Sequence, residues 1–279
     1  MSERTMSRKI IEAKELTFSY EEDNPALQGV SVIIYEREKI AVLGANGAGK
    51  STFFLNLNGV RKPDAGELFL YGEKIGKKNR KELTRNVGIV FQDADSQIIG
   101  STVKAEVAFG PLNKKLPRKE VEKWTVGAIK RMDLEEYVER PPHYLSEGEK
   151  KRVSIADILA MNYPLVIFDE PTASLDPVNA EALEKVLGDL EGEGKTVMLS
   201  THDVDFAYRF ADRILVFWKG KVIADGKPEE VFQIEEVLEK ANLKKPMIMQ
   251  VYGILKKKGL LQEGGSRYPR TLAEIESLL

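Results

Sequence analysis

The chain alternates short hydrophobic stretches with longer amphipathic ones, and the two kinds predict different elements. Alternating or β-branched residues predict short strands of an antiparallel lobe in four stretches: 10–20, 29–35, 39–43 and 66–75. Nearly continuous apolar runs predict buried strands of a parallel sheet in three further stretches: 87–91, 165–169 and 196–200. Because helical patterns separate these runs, an α/β core is the expected fold class.

Most of the helical pattern before the second apolar run lies in 93–160. In 121–132, for example, the apolar side chains of Trp124, Ile129 and Met132 fall on one face of a helix. We therefore predict a helical subdomain inserted at about 93–160.

After Phe232 the pattern changes to a lysine-rich amphipathic helix. Gly264-Gly265 interrupts this pattern, and the segment 271–279 resumes it. The expected organisation is a main domain over 1–235, which includes the helical insertion, and a small C-terminal helical appendage over 236–279.

Composition narrows the possible functions. The 279 residues include 42 basic and 44 acidic side chains, so the chain lacks the strongly basic character that is typical of nucleic-acid binding. The absence of cysteine excludes disulfides and thiolate chemistry, and it fits a reducing compartment. The apolar runs are far below the ~20 residues that span a bilayer, and the N-terminus has no apolar signal core. A membrane role is therefore expected to depend on a partner.

A glycine-rich phosphate-binding motif follows the stretch 39–43. It consists of Gly44, Ala45, Asn46, Gly47, Ala48, Gly49, Lys50 and Ser51, and Thr52 continues into a predicted helix. Backbone N–H groups and the helix N-terminus would contact a triphosphate, Lys50 would neutralise its β- and γ-phosphates, and Ser51 would bind Mg²⁺. The strand and helix that flank the motif disfavour a chance glycine turn. At this point other phosphate-loop enzymes remain possible.

Two adjacent carboxylates end the apolar run 165–168. Asp169 and Glu170 would lie at the C-terminal edge of the sheet, where ligands collect in open α/β folds. Asp169 is expected to hold the Mg²⁺ shell, and Glu170 is expected to polarise an attacking water. The alternative, acids that only face solvent, is disfavoured because the strand stops close to a phosphate loop.

The segment 145–156, LSEGEKKRVSIA, begins with a pattern that predicts a capping box, with Ser146 as N-cap and Glu149 three residues later. It also resembles the signature helix of ATP-binding-cassette ATPases, and it lies just before the Asp169 strand. This resemblance extends to further positions. It implies that Tyr20 stacks on adenine, that Gln92 contacts ATP and Mg²⁺ and connects the sheet to the helical lobe, and that His202 contacts the γ-phosphate. The dimer-crossing loop would be formed by Ser174, Leu175 and Asp176.

The resemblance implies that two ATPase subunits associate head to tail. Ser146 and Gly148 of one subunit would contact ATP held by the phosphate loop of the other. The intervening residue is most often glycine in this family and is Glu147 here. We expect its side chain to point away from the nucleotide, where its charge suits a helix N-terminus.

Two segments, 91–113 and 201–232, are similar to the ATPase of energy-coupling-factor importers of the cobalt/nickel type. The resemblance implies ATP hydrolysis with Mg²⁺ at the cytoplasmic face of the membrane. The expected partners are a second ATPase subunit of the same or a paralogous chain, a membrane-embedded force-transmitting subunit and a substrate-capturing subunit. A vitamin or other micronutrient is the alternative cargo. Alternatives of another class, a soluble cassette protein acting on nucleic acid or the ribosome and a non-hydrolysing cassette, are disfavoured by the motif spacing and the intact motifs.

Overall fold

The computed structural model describes residues 8–21, 24–173, 175–261 and 268–279. Four strands in these ranges form an antiparallel sheet in the order β2-β1-β4-β5. They are β1 (Lys9–Glu21), β2 (Asn24–Tyr35), β4 (Ala65–Leu70) and β5 (Glu73–Lys74). This sheet corresponds to the antiparallel lobe that the alternating pattern predicts.

The second sheet has six strands in the order β10-β9-β3-β8-β7-β6. They are β3 (Lys39–Leu43), β6 (Val87–Val90), β7 (Leu165–Phe168), β8 (Thr196–Ser200), β9 (Arg213–Trp218) and β10 (Lys221–Gly226). All neighbours pair in parallel except β10, which is antiparallel to β9. The carboxyl ends of β3, β7 and β8 therefore meet at one edge of the sheet.

The helices fall into three groups along the chain. Those around the sheets are α1 (Lys50–Asn58), α2 (Lys81–Asn86), α6 (Pro177–Gly192) and α7 (Val204–Phe210). Those in the predicted helical region are α3 (Val103–Asn113), α4 (Arg118–Arg131) and α5 (Glu147–Ala160). Those at the C-terminus are α8 (Pro228–Val231), α9 (Glu235–Ala241), α10 (Met247–Lys257) and α11 (Leu272–Glu276). The predicted α/β class is confirmed.

The assignment of 39–43 to the antiparallel lobe was wrong. This segment is β3, which lies inside the six-stranded sheet between β9 and β8. Ile40 and Val42 pack into the hydrophobic cluster on one face of the sheet, and Ala41 and Leu43 pack into the cluster on the other face. A strand that is buried on both faces has an unbroken apolar run, which is typical of parallel sheets.

The two hydrophobic clusters lie on opposite faces of this sheet. One contains the inner face of the antiparallel sheet and the side chains of Phe53, Phe54 and Leu57 from α1. The other packs the sheet against the helices that follow β6, and it includes Phe232 and Met249 from the C-terminal region. Burial of this kind contributes about 25 cal/mol per Å² of apolar surface, so both clusters fix the sheet edge that carries the polar residues.

The C-terminal helices pack back onto the main domain. The Arg270 guanidinium donates to the Ala211 carbonyl at 2.8 Å, and the Met247 N–H donates to Asp205 Oδ1 at 2.5 Å. Gly264-Gly265, where the sequence predicts a break, lies outside the described residues. None of the helices in the described ranges combines the length and hydrophobicity that crossing a bilayer requires.

Two carboxyl groups lie close together in the helical region. Glu106 of α3 is buried, and its Oε2 accepts a hydrogen bond from the Ile99 N–H at 2.8 Å. Asp157 of α5 receives a hydrogen bond from the Gln97 amide at 3.4 Å. Burial, together with the charge of Glu106, raises the pKa of Asp157 to about 7. Between the ordinary pKa of 3.8 and the raised value of about 7, the folded protein therefore holds a proton on Asp157 that the unfolded chain releases.

The raised pKa of Asp157 predicts how the stability of the protein depends on pH. The raised pKa means that stability falls as pH rises from the ordinary value of 3.8 to about 7. The difference between the two pKa values sets an upper limit of roughly 4 kcal/mol on this change in the free energy of unfolding. Because the side chain of Asp157 is not fully buried, we expect about half of that limit. Asp157→Asn should therefore raise the free energy of unfolding at about pH 8 by roughly 2 kcal/mol, and the gain should shrink towards about pH 5.

Urea unfolding at both pH values measures this difference. Asp212→Asn, which changes an exposed carboxylate, is the matched control and should have little effect at either pH. A gain that is equal at the two pH values would contradict the proposed ionisation of Asp157.

Candidate functional site

The phosphate-binding motif forms a tight loop between β3 and α1. Gly49, at φ 106°, precedes the first residue of α1, and a Cβ at this position would lie 2.5 Å from the Ala26 carbonyl oxygen. Only glycine fits such an approach. Gly47 has φ 77°, but a Cβ there would meet nothing within 4 Å, so the loop faces open space at this point. Gly49 supplies no side-chain cap, and the first turn of α1 has no acidic residue. The helix N-terminus is therefore suited to an anion.

Lys50 is buried beneath this loop. Its Nζ donates to the carbonyl oxygens of Gly44 at 2.6 Å and Ala45 at 3.4 Å, and it lies 3.8 Å from Glu170 Oε1. Burial lowers the pKa of Lys50, although Glu170 and Asp169 act in the opposite direction. The loop itself therefore fixes the position of this cation.

Asp169 and Glu170 follow β7 at the edge of the sheet, as the sequence predicts. The buried hydroxyl of Ser200, at the end of β8, donates to Asp169 Oδ1 at 2.6 Å and accepts from the Glu170 N–H at 2.8 Å. Glu170 has φ 48°, a left-handed conformation that is uncommon for a residue with a side chain. Strain of this kind is concentrated at functional sites.

Glu170 Oε1 is buried and accepts no hydrogen bond from the described residues. His202 Nε2 lies 3.2 Å from this oxygen, but its hydrogen-bond partner is Asn46 Oδ1 at 3.0 Å. Burial raises the pKa of Glu170, and this effect outweighs the opposing charges of His202 and Lys50. A carboxylate with a raised pKa and an oxygen free of hydrogen bonds from the described residues is suited to accept a proton.

The phosphate loop, Lys50, Asp169 and Glu170 line one open cleft of about 290 Å³. It is lined by Tyr20, Asn24, Pro25, Ala26, the loop and helix residues 45–52, Gln92, Asp169 and Glu170. Tyr20 is 53% exposed, and its hydroxyl lies 3.3 Å from Thr52 Oγ1. Tyr20 therefore lies at the mouth of the cleft with about half of its surface exposed, and the Arg61 guanidinium lies over its ring at 5.4 Å from the ring centre.

The residues of this cleft fit ATP with Mg²⁺. The loop supplies N–H groups and open space at Gly47, and Lys50 supplies a positive charge for phosphate. The Ser51 hydroxyl, the Asp169 carboxylate and the Gln92 amide would hold Mg²⁺. All three offer oxygen atoms, which Mg²⁺ prefers, and Mg²⁺ is commonly held by one or two carboxylates together with substrate phosphates.

Other predicted site residues lie outside this cleft. Ser146 and Gly148 are at the N-terminus of α5, where the predicted capping box is present: Glu149 N–H donates to Ser146 Oγ, and the Ser146 N–H donates to Glu149 Oε2. Glu147 is exposed.

The loop after Glu170 leads into α6. Asp176 caps this helix, accepting a hydrogen bond from the Asn179 N–H at 3.0 Å, and Leu175 packs against the hydrophobic cluster. Ser174 lies outside the described residues.

Three connecting side chains were not identified in the sequence. Ser200 joins the two carboxylate positions, Lys151 of α5 donates to the backbone on either side of Gln92, and Gln97 joins the same segment to α5. Ser200 could have been identified, because it ends an apolar strand that neighbours the Asp169 strand. Lys151 and Gln97 have no comparable signal in the sequence.

Ser200 is expected to act by positioning the carboxylates. Ser200→Ala removes the acceptor of the Glu170 N–H and the donor to Asp169, so we expect ATP turnover to fall by roughly 10-fold at saturating ATP, since small misplacements of reacting groups are costly. Steady-state kinetics measure kcat and KM separately. Ser154→Ala is the matched control, because that buried hydroxyl donates only to the Lys151 carbonyl within its own helix. Equal kcat values for Ser200→Ala and the unchanged protein would rule out the positioning role.

Comparison with known proteins gives consistent results. The family model described as ABC transporter matches residues 27–173. The chain is 46% identical over 251 residues to the energy-coupling factor transporter ATP-binding protein EcfA of Methanocaldococcus jannaschii, covering 89% of this chain and 90% of that protein.

Two solved structures are also similar. CbiO1 of Clostridium perfringens, described as part of the ABC transporter complex cbiONQ, has a TM-score of 0.74 and 38% identity, covering 90% of this chain and 99% of that one. A dimeric ATP-binding cassette in a post-hydrolysis state with ADP and Pi has a TM-score of 0.71 and 31% identity. The match covers 78% of this chain and 99% of that one.

Proposed function

This chain belongs to the ABC transporter family as an ATP-hydrolysing subunit of the energy-coupling-factor type, and we propose that it powers the import of a transition-metal ion, cobalt or nickel. Two observations support this proposal. The segments 91–113 and 201–232 resemble the cobalt/nickel group, which supports the metal cargo. The chain is also 38% identical to CbiO1, part of the ABC transporter complex cbiONQ, which supports work within a transporter complex.

The buried Oε1 of Glu170, which accepts no hydrogen bond from the described residues, is the observation that carries hydrolysis. We assign Glu170 as the base that accepts a proton from the water attacking the γ-phosphate. Its raised pKa suits this role, because a stronger base takes the proton more readily. His202, held by Asn46 beside that oxygen, keeps the geometry of the water and contacts the γ-phosphate.

The remaining cleft residues bind and orient the nucleotide. Tyr20 stacks on adenine, the loop N–H groups and Lys50 hold the phosphates, and Thr52 continues this contact from α1. Ser51, Asp169 and Gln92 are assigned to Mg²⁺, which when bound would neutralise charge that develops on the phosphoryl oxygens. Ser200 fixes Asp169 in the orientation this requires.

Two subunits are proposed to enclose two ATP molecules. Ser146 and Gly148 lie at the exposed N-terminus of α5, where N–H groups and the helix dipole favour a phosphate of the partner subunit. The loop Ser174, Leu175 and Asp176 would cross this interface. The similarity to a dimeric cassette supports such an arrangement. The second subunit is an identical or a paralogous chain.

A surface next to Gln92 is proposed to contact the force-transmitting membrane subunit, which places the protein at the cytoplasmic face of the membrane. Ile99 is 70% exposed, and nearby α3 exposes Phe109 and Leu112 at 47% and 59%. Glu106 anchors the Ile99 backbone to α3. An exposed apolar surface on a segment connected to the ATP cleft is suited to a membrane partner.

The test is to capture the tagged Glu170→Gln protein with ATP and Mg²⁺ from gently solubilised membranes of its host and to identify what copurifies. The purified complex with the unchanged ATPase is then reconstituted in liposomes, and uptake of radioactive cobalt or nickel is measured with and without ATP. The complex that contains Glu170→Gln is the matched control. We expect ATP-dependent metal accumulation by the unchanged complex only.

Two other outcomes would contradict the metal cargo or the transport role. ATP-dependent uptake of a vitamin, with no metal uptake, would retain the ATPase and overturn the metal cargo. Recovery of ribosomes or nucleic acid without a membrane subunit would contradict transport itself.

A further inference from the structure

Lys151 is a buried cation in α5, the helix that carries Ser146 and Gly148 at its N-terminus. It is 4% exposed, and its Nζ donates to the carbonyl oxygens of Phe91 at 2.7 Å and Gln92 at 3.0 Å. Gln92 lines the ATP cleft of the same subunit. One side chain therefore joins the cleft of its own subunit to the helix assigned to the partner's ATP.

The segment that receives these hydrogen bonds has no regular structure of its own. Residues 91–100 form bends and turns between β6 and α3. A partly buried contact also holds the segment to α5, because the Gln97 amide accepts from the Phe91 N–H at 3.2 Å and donates to the Ser154 carbonyl at 3.1 Å. The Lys150–Asp95 ion pair, at 2.7 Å, adds a contact nearer the surface. The backbone around Gln92 is thus attached to α5 by several side chains, of which Lys151 is the one that bonds to Gln92 itself.

A buried ammonium group is costly unless it is hydrogen-bonded and compensated by charge. Here two carbonyl oxygens accept from Lys151. Burial lowers the pKa of Lys151 to about 8, because the carboxylates of Asp169, Asp93 and Glu170 oppose this effect only in part. A neutral side chain of similar length would fill the space but leave both carbonyls without this donor. Lys151 is therefore required for its hydrogen bonds to the Phe91 and Gln92 carbonyls, rather than to fill space in the core.

We propose that Lys151 is a positioning residue that couples the two ATP sites of the dimer, by linking the Gln92 backbone to the position of Ser146 and Gly148. This inference rests on the proposed head-to-tail dimer. A shift of the Gln92 backbone towards the cleft, on binding nucleotide, would be passed by Lys151 to the N-terminus of α5, which would receive the partner's ATP. In such coupling, ATP bound at one site of the dimer changes the free energy of ATP binding at the other site.

ATP-driven dimerisation tests the proposal in the Glu170→Gln background, where slow hydrolysis lets the ATP-bound pair accumulate. Sedimentation velocity gives the dimer dissociation constant, and a fluorescent ATP analogue gives the affinity of the dilute monomer. Adding Lys151→Met should weaken dimerisation by about 10-fold, within the usual range of coupling between sites. The monomer should bind ATP as before, because the phosphate loop and Tyr20 are untouched.

Two further variants separate coupling from folding. Lys151→Arg retains a donor cation and should restore much of the dimer affinity. Lys119→Met, an exposed change in α4, is the matched control and should leave dimerisation unchanged. Dimerisation equal to the parent, or a parallel loss of monomer ATP affinity and thermal stability without rescue by arginine, would overturn the proposal.

Dimerisation of the Glu170→Gln protein with Lys151 unchanged separates a failure of this inference from a failure of the proposed function. If Glu170→Gln alone does not dimerise with ATP, the head-to-tail pair of identical chains is wrong. If it dimerises and Lys151→Met makes no difference, only the role of Lys151 is wrong.

Discussion

Glu170→Gln is expected to lower ATP turnover by ~10²–10⁴-fold, the contribution typical of a positioned general base. The amide retains the size of the carboxylate and its place in the left-handed turn at φ 48°, but it cannot accept the proton of the attacking water. The phosphate loop and Lys50 are unchanged, so ATP binding should persist. Because ATP is then held without hydrolysis, the ATP-bound dimer should accumulate.

The loss is measured as phosphate release at saturating ATP, and the dimer is measured by gel filtration in the presence of ATP and Mg²⁺. Glu181→Gln, an exposed change in α6, is the matched control and should retain full turnover. Turnover within a few-fold of the parent would exclude Glu170 as the base.

Lys50→Ala is expected to weaken ATP binding by about 100-fold, equivalent to roughly 2.7 kcal/mol for the loss of charge-assisted contacts to phosphate. Its ammonium group is held under the loop by the Gly44 and Ala45 carbonyls, in the place where the motif predicts a cation for phosphate. Turnover should fall as well, because Lys50 also lies 3.8 Å from Glu170 Oε1.

Titration with a fluorescent ATP analogue measures this loss directly. Lys62→Ala, which removes an exposed lysine after α1, is the control for the change in net charge and should bind ATP normally. Thermal unfolding of Lys50→Ala shows whether the fold is retained. Unchanged affinity in a folded Lys50→Ala protein would contradict the assigned role of the loop cation.

Local patterns predicted much of the fold. The apolar runs at 87–91, 165–169 and 196–200 correspond to β6, β7 and β8, since a buried parallel strand needs apolar residues on both faces. The same criterion applied to 39–43 would have placed it in the parallel sheet. Its neighbours in sequence favoured the lobe, but its partners β8 and β9 come from residues more than 150 positions later.

The sequence by itself determined the groups available for chemistry: a phosphate loop, two carboxylates after a buried strand, and a capped helix. Each depends on residues that are adjacent or a few positions apart, so local geometry is sufficient. Only the tertiary structure decided which groups meet. Ser200 lies 30 and 31 positions from Glu170 and Asp169, Lys151 lies 59 positions from Gln92, and His202 lies 156 positions from Asn46. Such contacts follow from strand order and helix packing, which no local pattern encodes.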